Sequence, residues 1–168
     1  MRNWLFGFLL SACMATAAAA SDMENSDRIV RAIDLSYLGE LLTGAGQSSR
    51  MRNIGGANIL VVSLDSSGDS VMHIAGAHCA TGDDKQCDVL EFFAYIVDSQ
   101  TSDEELSALN RKFELQNIER VDANHIAVTS GMVLMGGVTV ENIGSNIGFF
   151  IARLDVILRA LRPRGLSS

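Results

Sequence analysis

Cys79 and Cys87 enclose the polar loop ATGDDKQ, and no other pair of residues constrains this chain as much. The flanks, SVMHIAGAHC and CDVLEFFAYIV, both read as strands. The second is rich in Val, Phe, Tyr and Ile, while the first alternates imperfectly. Thr81-Gly82-Asp83-Asp84 is turn chemistry, so the cysteines bracket a hairpin loop. Positions facing each other across a hairpin bring their side chains within reach of a disulfide. Closing so short a loop stabilises a fold by roughly 2.5 kcal/mol on the chain-entropy account.

Such a bond persists only in an oxidising compartment, which turns attention to the N-terminus. MRNWLFGFLLSACMATAAAASD carries Arg2, an apolar run from Trp4, and small residues ending at Ala18-Ala19-Ala20. That order describes a secretory signal peptide cleaved between Ala20 and Ser21. A membrane anchor fits less well, because the run is marginal in length and its second half is mostly Ala. LSAC, residues 10 to 13, offers a lipobox-like alternative in which Cys13 is acylated, but it lies close to the start and precedes a long Ala run. The expected organisation is a signal peptide over 1–20, a flexible leader over 21–28, one domain over 29–162 and a C-terminal tail over 163–168. The expected location is periplasmic or secreted, with a lipid anchor through Cys13 as the alternative. Of the three cysteines, Cys13 leaves with the signal peptide.

Two other chemistries compete for the pair. A metal site would recruit His73, His78, Asp83 or Asp84. Strand alternation puts His73 on the face of Cys79 and turns His78 away, so two sulfurs and one distant His do not fill a tetrahedral shell. A thiol-redox centre would more naturally show C-x-x-C at a helix start, which is absent. The staple is the preferred reading.

Residues 21 to 168 amount to one domain, and a chain of that size buries about 68–70% of its unfolded surface. The formal charge is −7 and becomes one unit more negative when Arg2 is lost. With no Lys/Arg cluster, the electrostatic footprint of nucleic-acid binding is missing. No second apolar run approaches membrane-spanning length.

Along the chain, RIVRAI is either a short extended segment or a helix start. Asp34 looks like the N-cap of LSYLGELLTGAG, with Leu35, Leu38, Leu41 and Leu42 on one face and Gly44 and Gly46 ending it. NILVVSLD, after Gly55-Gly56, reads as a strand, and Ser66-Ser67-Gly68-Asp69 as a turn into the strands around the cysteine loop. TSDEELSALNRKF opens with a capping box, Ser102 with Glu105, while Asp103 and Glu104 complement the helix dipole. Leu106, Leu109 and Phe113 form its apolar stripe. NIERVDANHIAVTSGMVLMGG reads as a hairpin turning at Asp122-Ala123-Asn124. In TVENIGSNIGFFIARLDVILRALRPRG, Thr139 caps a long amphipathic helix that buries Ile143, Ile147, Phe150, Ile151, Leu154 and Leu158 and stops at Pro163. The order predicts an α+β fold: an antiparallel sheet packed by N-terminal, middle and long C-terminal helices.

Little of this reads as chemistry. GAGQSS follows a helix, so it is no dinucleotide fingerprint; GSNIG lacks the frame of a nucleophile elbow around Ser145. Asp83, Asp84, Asp103, Glu104 and Glu105 sit on turns and helix starts, and His125 opens a strand without a partner in view. Met132 and Met135, beside Leu134, read as core or interface filler. No nucleophile, base and orienter assemble from these residues, so no catalytic, cofactor or metal residue is expected.

An N-terminal helix ending LLTGAG, a hairpin ending at Cys79 and Cys87 with DVLEFFAYI, then ALNRKF and MVLMGGVTVENI, together resemble the YbjN-domain family, labelled bacterial sensory transduction regulators. The resemblance runs from about Ile29 to Leu158, and GGVTVENI (Gly136 to Ile143) is its most specific piece. HIAGAHC lacks the aromatic residues members often show before the first cysteine. Leu109 stands where a Trp often precedes the Asn, and the stretch from Asn110 to Phe113 is about two residues short. No aromatic ligand surface is therefore carried over. The resemblance implies an α+β domain similar to type III secretion chaperones, which often dimerise and hold peptide segments. The expectation is an exported, non-enzymatic binding or regulatory module for a protein or peptide partner, possible as a homodimer, with Met132, Leu134 and Met135 as the interface. The alternative is a thiol-redox, small-ligand or metal-binding protein working through the Cys79–Cys87 loop.

Overall fold

A computed structural model describes residues 27–64, 71–80, 86–98 and 100–161. The expected signal peptide with Cys13, Ala20 and Ser21, most of the leader, the Ser66–Asp69 turn, Asp83, Asp84 and Pro163 with its tail lie outside the described residues. RIVRAI is extended: β1 (Ile29–Val30) and β2 (Ile33–Asp34) precede the first helix, α1 (Leu35–Gly44). Asp34 caps α1 by accepting a 2.6 Å hydrogen bond from the Ser36 N–H. At its far end, Gly46 takes a φ of +82° that favours glycine, and the Gln47 N–H bonds the Leu42 carbonyl at 2.8 Å.

Five strands and a helix follow: β3 (Ser49–Ile54), β4 (Ala57–Ser63), β5 (Val71–Cys79), β6 (Gln86–Val97), α2 (Asp103–Lys112) and β7 (Asn117–Asp122). The chain ends with β8 (His125–Val133), β9 (Val138–Thr139) and α3 (Val140–Leu161). β3 was not legible in the sequence. Its residues, SRMRNI, show no apolar alternation because nearly all of them are exposed. Gly55 and Gly56, at φ +59° and +88°, make the tight turn that folds β3 back onto β4. The Ser102–Glu105 capping box forms at the start of α2. On α3, Thr139 Oγ1 accepts from the Asn142 N–H at 3.1 Å.

The strands form an antiparallel sheet in the order β3-β4-β5-β6-β8-β7. β2 joins this sheet beside β6 through Ile33↔Cys87, while β8 runs along β6 from Val89 to Val97. Cys87 also faces Cys79 of β5, so β2 and β8 share one flank of β6 end to end. A separate ladder pairs β1 with β9.

Alternation decides which sheet face is covered. Met72 and Ile74, Leu90 and Phe92, and Ile126 and Val128 are buried with Leu38 and Leu42 of α1, Leu106 of α2, and Ile143, Ile147, Phe150 and Leu154 of α3. Phe92 and Phe150 meet at 5.9 Å between ring centres. All three helices therefore pack on the same face, and the α+β architecture matches the expectation. The stripe of α3 differs in detail: Ile157 is buried, while Ile151 and Leu158 lie at its margin.

Candidate functional site

The face away from the helices carries the side chains of alternate positions. One cross-strand row runs Arg50, Val61, His73, Phe93, Thr129, Asn117, read from the register of six strands. His73 stacks on Phe93 with centroids 5.0 Å apart, and Tyr95 meets the Phe93 edge at 5.9 Å. Burial lowers the His73 pKa below its ordinary 6.5; the Phe93 backbone opposes that, and the Arg52 charge adds to it. The net shift favours the neutral imidazole, because partial burial penalises the charged ring.

A groove of about 870 Å³ opens on this face, between β6, β8 and β7 and the Glu114–Asn117 segment that leads into β7. Phe93, Tyr95, Leu115 and Val121 supply its apolar walls, and Glu91, Glu114 and Glu119 its charges. Ser130 Oγ donates to the Leu115 carbonyl at 3.0 Å and holds that segment against the sheet. Gln116 is only 6% exposed, lines the groove, and its Oε1 has no hydrogen-bond partner among the described residues.

Strand pairing is interrupted at the same place. β7 pairs with β8 only as far as Asn117↔Thr129, whereas β8 continues along β6 to Val133. From Ser130 to Val133 the ladder thus has β6 on one side and, among the described residues, no strand on the other. Gly131 lies in this stretch, lines the groove, and leaves room for another backbone to approach. The outer side of β7 is closed differently. Asn110 on α2 donates from Nδ2 to the Ile118 carbonyl at 2.5 Å and accepts from the Ile118 N–H at 2.7 Å.

The cysteines occupy a different corner. The structure brings Cys79 and Cys87 together, with sulfurs 2.02 Å apart. His78, at φ +51°, is the only non-glycine residue with positive φ among those described. That left-handed residue breaks the alternation of β5 and turns Cys79 toward Gly76, on the parity of Met72 and Ile74. The expectation that His73 shares a face with Cys79 is corrected: His73 lies with Phe93 and Tyr95 on the opposite face. Among the described residues no three His, Cys, Asp or Glu side chains gather as a metal site would require. A small cavity of about 240 Å³ adjoins the sulfurs, beside Asp34, Ser36, Met51 and Asn58.

The three interface residues are not brought together. Leu134 is 0% exposed and belongs to the core, and Met132 packs against that core. Only Met135 is exposed, on the turn closed by Gly137 N–H to the Leu134 carbonyl at 2.8 Å. Their strand turns Met132 to the helix side and Val133 outward, so of the three residues expected at an interface Met135 alone presents an exposed side chain. His125 sits at the surface with Nδ1 2.9 Å from Asp122. The groove residues escaped the sequence reading, although one signal was there: Phe93 and Tyr95 share the parity of Glu91, the wet side of β6.

Comparison with solved structures finds the crystal structure of YbjN from E. coli, described as "a putative transcription regulator". The two superpose with a TM-score of 0.58 at 16% identity, over 77% of this chain and 91% of that one. This chain has a YbjN-like fold. No family model matches the sequence, and no curated protein matches it. The identity is low enough that the likeness speaks for the fold alone.

Proposed function

We propose that this is an exported, non-enzymatic binding module that holds an extended segment of a protein partner against β8. The observation that carries this reading is the stretch Ser130 to Val133, which among the described residues has no strand on its outer side where the groove opens. A strand added there gains main-chain hydrogen bonds, while the groove takes up alternate side chains. The helix-free face with half-buried Phe93 and exposed Tyr95 adds apolar contact area of the kind that anchors interfaces. The regulator description given to YbjN would, in this chain, mean regulation through binding.

The test is selection from a displayed library of random dodecapeptides against the disulfide-intact protein. Wild type should enrich sequences of extended, alternating character, and a Gly131→Pro variant, with a ring in the approach path, should not. Equal enrichment by both proteins would falsify the reading.

A further inference from the structure

We infer that the Cys79–Cys87 bond is a site of reversible covalent capture, opened at Cys79 by an incoming cysteinyl thiol. The site lies apart from the β8 groove and does not depend on the peptide reading given above. Three observations carry it. First, the two sulfurs differ in access: Cys79 is exposed at the end of β5, whereas Cys87 is only 3% exposed. Buried cysteines are inert, while a disulfide exposed at one sulfur is open to exchange there. Second, a cavity of about 240 Å³ is lined by both cysteines together with the exposed Met51, Ala57 and Asn58. That is smaller than the roughly 300–1,000 Å³ of a site for a whole drug-sized molecule. It suits a thiol and its immediate neighbours.

The third observation is the backbone of His78. Its φ of +51° is left-handed, a conformation that costs an ordinary L residue free energy. Its side chain does little to hold it there, because the contact from Nδ1 to Asp88 Oδ1 is 3.6 Å, beyond hydrogen-bond reach. The disulfide holds it instead, since the left-handed residue is what turns Cys79 to the side of Gly76, where Cys87 lies. Cys87 is fixed by contrast, filling the space over Gly76 and paired with Ile33 of β2. Once the bond opens, His78 returns to an extended φ and carries Cys79 to the other face of β5, away from Cys87.

The exchange balances without an outside oxidant. The ionised thiol attacks Cys79 Sγ in line with the S–S bond, and a new S–S bond forms as the Cys79–Cys87 bond breaks. The Cys87 sulfur leaves with the electron pair and takes a proton from water. One disulfide replaces another. Release is the reverse, with the Cys87 thiolate attacking Cys79 as the captured thiol departs.

The experiment incubates the disulfide-intact protein with excess reduced glutathione, quenches with acid at successive times, and locates adducts by intact mass and peptide mapping. The first adduct should be a mixed disulfide on Cys79, favoured about tenfold or more over Cys87. His78→Gly adopts the left-handed φ without cost and should lower the opened fraction at equilibrium about threefold or more. His78→Ala keeps that cost, lacks the imidazole, and should match wild type. Gly131→Pro should leave capture unchanged, so this site and the β8 groove stand or fall separately. A native protein that stays oxidised, and opens only once urea unfolds it, has a structural staple and overturns the inference. An adduct on Cys87, or one shared equally between the cysteines, overturns it too. Equal opening of wild type and His78→Gly overturns the role given to the backbone, and with it the switch of Cys79 between faces. A cysteine-containing dodecapeptide run beside glutathione separates the sources of the thiol: faster capture of the peptide supports a protein cysteine, and faster capture of glutathione supports a small thiol.

Discussion

Gly76 faces Cys87 so closely that a β-carbon on Gly76 would lie 2.8 Å from the Cys87 Cβ, nearer still to its Sγ, and 3.1 Å from the Cys79 Sγ. The sulfurs fit because β5 has no side chain at that point. Gly76→Ala should therefore destabilise the oxidised protein by about 1–3 kcal/mol through overpacking. In the Cys79→Ser, Cys87→Ser background, itself about 2.5 kcal/mol less stable, the Ala substitution should cost less. Urea melts of the four proteins give the coupling. Strictly additive costs would mean that glycine and sulfur do not share the space.

Asn110 satisfies both backbone groups of Ile118 from a neighbouring helix. Asn110→Leu keeps the volume and leaves two part-buried backbone groups without partners, at a cost of about 1–3 kcal/mol each way the ledger is read. Amide exchange should accelerate at Ile118 before it does in β5 or β6. Unchanged protection at Ile118 would show that the clamp is dispensable.

Acid should act through two groups with opposite chemistry and the same sign. Burial pushes the Asp98 carboxyl up, but hydrogen bonds from the Thr101 N–H, its hydroxyl and the Gln100 N–H, with the Arg120 charge, outweigh that and leave it below its usual 3.8. Its contribution is complete above 3.8 and is lost as pH falls through the depressed value, and Asp98→Asn should flatten that limb. His73 is also depressed, from 6.5. The unfolded chain takes up the proton first, so stability falls as pH drops from 6.5, and His73→Phe should remove this earlier phase. Denaturant midpoints measured from pH 8 to pH 3 report both.

Leu134 and Met135 are adjacent, yet substitution should separate them sharply. Leu134→Asp places a carboxylate at a fully buried core position and should unfold the domain at ambient temperature. Met135→Asp, on an exposed turn, should change stability by about 0.5 kcal/mol or less. Circular dichroism melts of the two variants decide it.

The helices and the strands on either side of the cysteines were legible because each carries its own local signal. Asp34, Ser102 with Glu105, and Thr139 supply caps whose geometry depends only on neighbouring residues. β3 was illegible because an edge strand exposed on both faces has no reason to alternate. The face of Cys79 was misjudged because period two holds only while every residue stays extended, and His78 does not. Leu134 and Met135 look alike in sequence; a turn closed at Gly137 separates them. The groove was hidden for another reason. It is made where one strand outruns its neighbour, and relative strand lengths are properties of pairing, not of either segment.

Ile29 of β1 pairs with Thr139, the residue that caps the last helix. During synthesis, β1, the first strand among the described residues, therefore waits for its partner until almost the whole domain has followed. Until then Val30 and Ile33, both core residues, have nothing complete to bury against. A chain halted before Thr139 lacks the β1–β9 ladder, so the clasp that fixes the start of this domain against the entry to its last helix closes only when nearly all of the intervening sequence has been made.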